Sequence, residues 1–168
     1  EAFDAADGGE TSNIAIGYGA MGAVDEGAND NADANIAIGH NALTGGILTD
    51  GEGNLSHNIA IGYEALADTG VNDHVGTIAI GQSALGACQS GAGNTAVGHT
   101  SLLTNIDGSY NTAVGYESLY TMEADTLNHG ENTAVGYKAG KFVSIGTNNT
   151  FLGKSAGEGI TGTPLLGN

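Results

Sequence analysis

Short apolar segments recur along the chain, each framed by the same polar and glycine positions. One copy reads Asn111-Thr112-Ala113-Val114-Gly115-Tyr116, and seven similar copies begin at positions 13, 35, 58, 77, 94, 132 and 149. In all but the last copy, β-branched residues flank an alanine, and a glycine always follows. Such alternation over three residues is typical of a short β-strand, and a short unit repeated along the whole chain indicates a solenoid.

The glycine that closes each apolar segment sets the length of the repeat. These glycines lie at positions 17, 39, 62, 81, 98, 115, 136 and 153, so successive spacings are 22, 23, 19, 17, 17, 21 and 17 residues. We predict an all-β fold, a parallel β-roll or β-solenoid of about eight coils. The solenoid spans residues 13–157, after a lead-in or cap segment at 1–12 and before a tail or cap at 158–168. A glycine in every copy disfavours helix.

The alternation within each strand predicts two rows of side chains that point in opposite directions. We assign the larger row and the glycines to the repeat core: Ile16, Ile38, Ile61, Ile80, Val97, Val114, Val135, Gly17, Gly39, Gly62, Gly81, Gly98, Gly115 and Gly136. The alanine row faces a space too tight for larger side chains: Ala15, Ala37, Ala60, Ala79, Ala96, Ala113 and Ala134. Ala-Leu pairs such as Ala65-Leu66 predict a second strand-like piece, whose leucine forms the opposite wall.

Each copy offers few aliphatic side chains for the number of residues that it must order. Folding therefore requires a second buried surface beyond the interior of one chain. We predict a homotrimer in which the alanine row forms the seam between chains.

Charge and composition exclude several classes of function. The chain has a formal charge of −16, no arginine and three lysines, Lys138, Lys141 and Lys154. Nucleic-acid binding requires a basic face, so we do not expect it. No apolar run reaches the roughly 18 residues of a membrane span, so we expect no membrane insertion. The lone Cys88 cannot form an internal disulfide. We predict no enzymatic activity, because no phosphate loop or catalytic motif is present.

Two sets of residues are candidates for ligand contact. The position after each glycine is usually aromatic, which favours either a stacked structural column or a stripe that contacts a sugar or receptor: Tyr18, His40, Tyr63, His99, Tyr116 and Tyr137. Acidic loops containing glycine favour either plain turn chemistry or a Ca²⁺ site, with Asp30, Asp33, Asp73 and Asp107 as ligands. We expect no other cofactor. His57, His74 and His129 are predicted in loops, without the spacing of a zinc site.

The repeat Asn-x-Ala-[Ile/Val]-Gly-[Tyr/His]-x-[Ala/Ser]-Leu resembles the head repeats of trimeric autotransporter adhesins and the related NTAVGYxAL repeats of phage tail fibres. The resemblance covers about residues 11–157. It implies a left-handed parallel β-roll, three copies of which pack into one trimer. It also implies a non-enzymatic structural and adhesive domain of an extracellular, cell-surface or virion fibre. Such a domain would bind a host receptor or surface glycan through its variable acidic loops.

An alternative function follows from the ends of a solenoid, whose strand edges are open unless they are capped. Thirteen of the nineteen acidic residues precede residue 78, whereas all three lysines lie in the last quarter of the chain. This polarity favours a self-assembling extracellular filament subunit that stacks head to tail, since a non-closing interface generates a fibre.

Overall fold

The computed structural model describes residues 11–24, 31–45, 53–70, 73–122 and 130–159. Most of the predicted cap segments and Asp30 and His129 lie outside these residues. The described part contains ten strands and no helix. The strands are β1 Ile14–Ile16, β2 Ile36–Ile38, β3 Leu55–Ser56, β4 Ile59–Ile61, β5 His74–Val75, β6 Ile78–Ile80, β7 Thr95–Val97, β8 Thr112–Val114, β9 Thr133–Val135 and β10 Thr150–Leu152.

Eight of these strands form one parallel sheet, in the order β1-β2-β4-β6-β7-β8-β9-β10. Each strand pairs in register with the corresponding residues of the next copy, so that Ala60 pairs with Ala79 and Ala79 with Ala96. The remaining two strands, β3 and β5, pair in parallel beside it. The prediction of an all-β, parallel β-solenoid is confirmed.

The assignment of the two side-chain rows was wrong. Ala37, Ala60, Ala79, Ala96, Ala113 and Ala134 are completely buried inside the single chain, so they cannot line a seam between chains. The predicted core residues lie outside this interior and are partly exposed, by as much as 57% at Ile16: Ile16, Ile38, Ile61, Ile80, Val97, Val114 and Val135. The space that admits only alanine is therefore the interior of the roll. The pleat of each strand directs its middle residue into this interior.

The opposite wall of this interior consists of leucines held in turns. Leu43, Leu66, Leu85, Leu102 and Leu119 are fully buried, as predicted, and Met21 takes the same position after β1. Their backbone is left-handed, with φ between 46° and 52°, and the segments are turns. The predicted second strand is thus wrong, because a left-handed residue reverses the chain and cannot continue a pleated strand.

The glycine after each strand permits the close stacking of copies. Gly81 has φ of +132°, and a Cβ atom built there would lie 2.6 Å from the carbonyl oxygen of Gly98. Gly153 has a similar φ of +116°, but nothing lies within 4 Å of its Cβ position, since no described copy follows it. Gly81 therefore combines a positive φ with a close backbone approach, and glycine is the residue that tolerates both.

A buried asparagine ladder joins successive copies. Asn111 Oδ1 accepts the backbone N–H of Asn132 at 3.1 Å and also its side-chain amide at 3.0 Å. Asn94 Oδ1 accepts the backbone N–H of Asn111 at 2.9 Å. These amides satisfy backbone groups that the short strands leave unpaired inside the roll, where an unpaired group is costly.

At the last strand, the large and small side chains of the interior trade places: phenylalanine replaces alanine on the strand, and glycine replaces leucine on the opposite wall. Phe151 pairs with Ala134 and occupies the alanine row. Glycine replaces the wall leucine in the last two copies, and Cβ atoms added at Gly140 or Gly157 would overlap the Phe151 ring. One aromatic side chain thus fills the volume that leucines fill elsewhere.

Candidate functional site

The outward residues of the main sheet form a continuous uncharged strip, which we call the outer face. It comprises the first and third residues of its strands: Ile14, Ile16, Ile36, Ile38, Ile59, Ile61, Ile78, Ile80, Thr95, Val97, Thr112, Val114, Thr133, Val135, Thr150 and Leu152. Twelve of these sixteen are aliphatic and four are threonine, although the chain as a whole carries a charge of −16. The strip is about 34 Å long, because eight parallel strands make seven steps of about 4.8 Å. Exposed apolar patches on soluble proteins are typical of interaction surfaces, so the outer face is a candidate for one.

The aromatic residues after the glycines form a second exposed feature beside the outer face. Tyr18, His40 and Tyr63 stack with ring centroids 5.3 and 5.2 Å apart. His99, Tyr116 and Tyr137 form a second stack, with centroids 5.2 and 5.4 Å apart. The predicted stacked column is confirmed for both triplets. Because the inner rings cover one another's faces, the groups available to a ligand are mainly ring edges, hydroxyls and imidazole nitrogens.

Gln82 separates the two aromatic stacks, since it occupies the ring position between Tyr63 and His99. We predict that Gln82→Tyr stabilises the fold by about 1–3 kcal/mol, because the new ring stacks on both neighbours and each such pair contributes about 0.5–1.5 kcal/mol. Urea unfolding of the variant measures this change. Gln82→Leu is the control, since it adds apolar surface without a ring. Equal stabilities of the two variants would contradict the stacking account.

The three lysines lie around the aromatic column at the C-terminal end. Lys141 Nζ lies 2.5 Å from Glu117 Oε2, and Lys138 Nζ lies 3.8 Å from the same oxygen. Burial raises the pKa of Glu117, but hydrogen bonds from Lys141 and Tyr116 and the lysine charges outweigh it and lower the pKa overall. Lys138 and Lys154 also lie over the Tyr137 ring, at 5.1 and 5.9 Å from its centroid. This end of the column is therefore the cationic end.

The candidate Ca²⁺ ligands do not come together in the described residues. Asp33 Oδ1 accepts hydrogen bonds from the backbone and hydroxyl of Thr11, at 2.6 and 2.8 Å. Asp107 Oδ1 accepts the hydroxyl of Ser90 at 2.7 Å. Asp73 is exposed. No group of three or more carboxylate, histidine or cysteine side chains in the described ranges could hold a metal ion. Asp33 and Asp107 instead connect neighbouring copies.

His74 was misplaced by the loop prediction. It lies in β5, is completely buried, and its Nε2 is 2.9 Å from the carbonyl oxygen of Thr69, to which Nε2–H donates. Cys88 is also buried, and burial raises its pKa to about 12, so it is a poor nucleophile. The second sheet could not be predicted from the repeat pattern, because the segments that contain β3 and β5 vary in length between copies.

Burial lowers the pKa of His74, although the backbone at Gln89 and Thr69 and the charges of Asp73 and Asp107 act in the opposite direction. The folded state therefore resists a proton that the unfolded chain accepts near pH 6.5. We predict that stability is fully present above about pH 6.5 and declines as the pH falls toward the lower folded pKa. Unfolding free energies between pH 7.5 and 5 measure this. His74→Asn should flatten the slope of unfolding free energy against pH, and a slope equal to that of the unsubstituted chain would contradict the prediction.

No protein-family model, curated protein or solved structure matches this chain. Among the described residues, no helix is long and apolar enough to cross a bilayer. The basis for function is thus the geometry of the outer face and the aromatic column.

Proposed function

We propose that this chain is a non-enzymatic structural segment of an extracellular, cell-surface or virion fibre. In this proposal, three copies associate through their outer faces into a rigid rod. Each copy is a left-handed solenoid of eight coils. The observation that carries the proposal is the outer face itself, an uncharged strip along all eight strands of an otherwise strongly acidic chain.

A second copy of the same chain is the partner that fits this face. Acidic chains repel one another, so a surface for self-association must exclude carboxylates, and the outer face carries none. Its strands all lie in register, and so identical faces can meet along their whole length about an axis parallel to the solenoid. The resemblance to adhesin head repeats favours three copies over two. The proposed seam between chains therefore consists of the isoleucines and valines of the outer face, instead of the alanines predicted from the sequence.

The aromatic column is the proposed ligand contact, because it lies outside the seam and stays exposed when the outer faces are covered. Tyrosine hydroxyls and imidazole nitrogens repeat along it at the strand spacing, which suits the hydroxyls of a host receptor or surface glycan. The quadruple variant Tyr18→Phe/Tyr63→Phe/Tyr116→Phe/Tyr137→Phe retains the stacked rings and removes all four tyrosine hydroxyls of the column. Loss of binding to a glycan array, with unchanged unfolding, would support contact through the column; unchanged binding would contradict it.

Native mass spectrometry and analytical ultracentrifugation test the assembly directly. The full chain should sediment as a trimer, and Ile61→Lys should yield folded monomers, because each of three meeting faces would bury a charge without a partner. Tyr63→Lys is the matched control, since it places the same charge two residues away in the aromatic column. A monomeric full chain, or an Ile61→Lys trimer as stable as the control, would overturn the proposal.

A further inference from the structure

We propose that the two ends of the solenoid bind each other, so that copies of this chain join head to tail in one continuous sheet. The main sheet ends at β1 and β10, each of which has a single strand partner in the described part of the chain. Apolar side chains are most exposed at these ends: Ile16 is 57% exposed and Leu152 is 77% exposed. An edge of this kind is a template for another strand.

The backbone bonds between successive copies show what each end offers. At the β9–β10 step, Thr133 N–H donates to the Asn149 carbonyl and Gly153 N–H donates to the Val135 carbonyl, both at 2.8 Å. Ser155 N–H donates to the Tyr137 carbonyl and Gly140 N–H to the Ala156 carbonyl, also at 2.8 Å. The same bonds recur at the earlier steps, so the pattern belongs to the repeat and not to one pair of strands.

Each end leaves the matching half of this pattern unused. Within the described residues, no hydrogen bond is made at the C-terminal end by the N–H groups of Thr150 and Gly157 or the carbonyls of Leu152 and Lys154. At the N-terminal end, the same holds for the N–H groups of Gly17 and Gly19 and the carbonyls of Asn13 and Ala20. Placing β1 of one copy on β10 of another in the existing register pairs all four donors with all four acceptors, and unpaired backbone groups are costly once covered.

Side chains at the joint give the contact its direction. Lys154 occupies the position of the aromatic column after Tyr137, and Tyr18, which begins that column, is 70% exposed. Head-to-tail stacking would place the Lys154 ammonium between the Tyr137 and Tyr18 rings, a favourable cation–π arrangement. Tail-to-tail stacking would bring two cationic ends together. The acidic N-terminal half of the chain adds attraction to the lysine-bearing end.

Disulfide trapping tests the joint in the full chain. Residues on adjacent strands of one column lie about 4.8 Å apart at Cα, within the range that a disulfide spans. Tyr18→Cys and Lys154→Cys are made separately in a Cys88→Ala background, then mixed and oxidised. We expect crosslinked pairs that contain one of each variant, and a ladder of multiples from the double variant. Tyr63→Cys, in the middle of the column, replaces Tyr18→Cys in the control mixture and should not crosslink.

Two results would overturn the proposal: no crosslinking above the Tyr63→Cys control, or crosslinking of either variant with itself as efficiently as with the other. The proposal stands apart from the trimer. Ile61→Lys should leave the end-to-end crosslinks in place while it changes the mass in native spectra, so failure of one contact is distinguishable from failure of the other.

Discussion

Gly81→Ala should strongly destabilise this solenoid, although it adds only one methyl group. The new Cβ would lie 2.6 Å from the carbonyl oxygen of Gly98, and both atoms belong to backbones fixed by strand pairing. Its φ of +132° is also a conformation that residues with a side chain rarely adopt. Strain of about 1–3 kcal/mol and a backbone overlap of similar cost together predict a loss of about 2–6 kcal/mol. Urea or thermal unfolding followed by circular dichroism measures it.

Gly153→Ala separates the two contributions. Gly153 has a φ of +116° and no atom of its own chain within 4 Å of its Cβ position, so in the dissociated chain this variant carries the conformational strain without the overlap. We expect it to lose only about 1–3 kcal/mol. If the two substitutions cost the same, the close approach of successive copies does not limit stability.

The stacking of the copies was predictable because glycine, asparagine and alanine recur at fixed places. Each constrains the backbone or a buried group in a way that only a few residues can satisfy. The left-handed turn at the wall leucines was harder to predict. Leu102 has φ of 51°, a conformation unusual for leucine, and Ala-Leu pairs give no local signal for it.

For the two side-chain rows, residue hydrophobicity alone predicted the wrong row to be buried. Larger aliphatic residues are usually inside, so the isoleucine and valine row was assigned to the core. In a roll this narrow the larger residues of the strands lie outside. Leucines from the opposite wall already fill the interior, and only alanine fits beside them. The available signal was Thr95, Thr112 and Thr133, which share the direction of Val97, Val114 and Val135. Hydroxyls along a row favour a surface over a sealed interior.

The candidate sites divide in the same way. The aromatic column follows directly from the repeat, since residues at equal positions stack at equal spacing, as His99, Tyr116 and Tyr137 do. The contacts of side chains in the segments of variable length could not be predicted from the repeat, because they depend on the course of the backbone between one copy and the next. Asp107 bonds to Ser90 and His74 enters a second sheet, and neither contact has a repeating sequence pattern.

Ala96→Leu is the second substitution with a large expected effect, and it tests the reversal of the two rows. Ala96 is completely buried and pairs with Ala79 on one side and Ala113 on the other. Three added carbons have no free volume, because strands stack about 4.8 Å apart and the interior is closely packed. Overpacking costs about 1–3 kcal/mol where neighbours can shift, and we expect the upper end or more here, because the adjacent strands are held in register. Loss of strand signal on mild heating or at low urea measures it in the monomer, independently of assembly.

Val97→Leu is the matched control, one residue along the same strand and pointing outward. It should leave the unfolding of the single chain almost unchanged, because its side chain lies on the partly exposed outer face. In a trimer it should alter the assembly instead, where outer faces meet. The pair therefore separates interior from seam: if Ala96→Leu changed only the oligomeric state and Val97→Leu unfolded the chain, alanine would face the partner after all. The opposite result requires that each chain has its own core and that the isoleucine and valine face is free to bind.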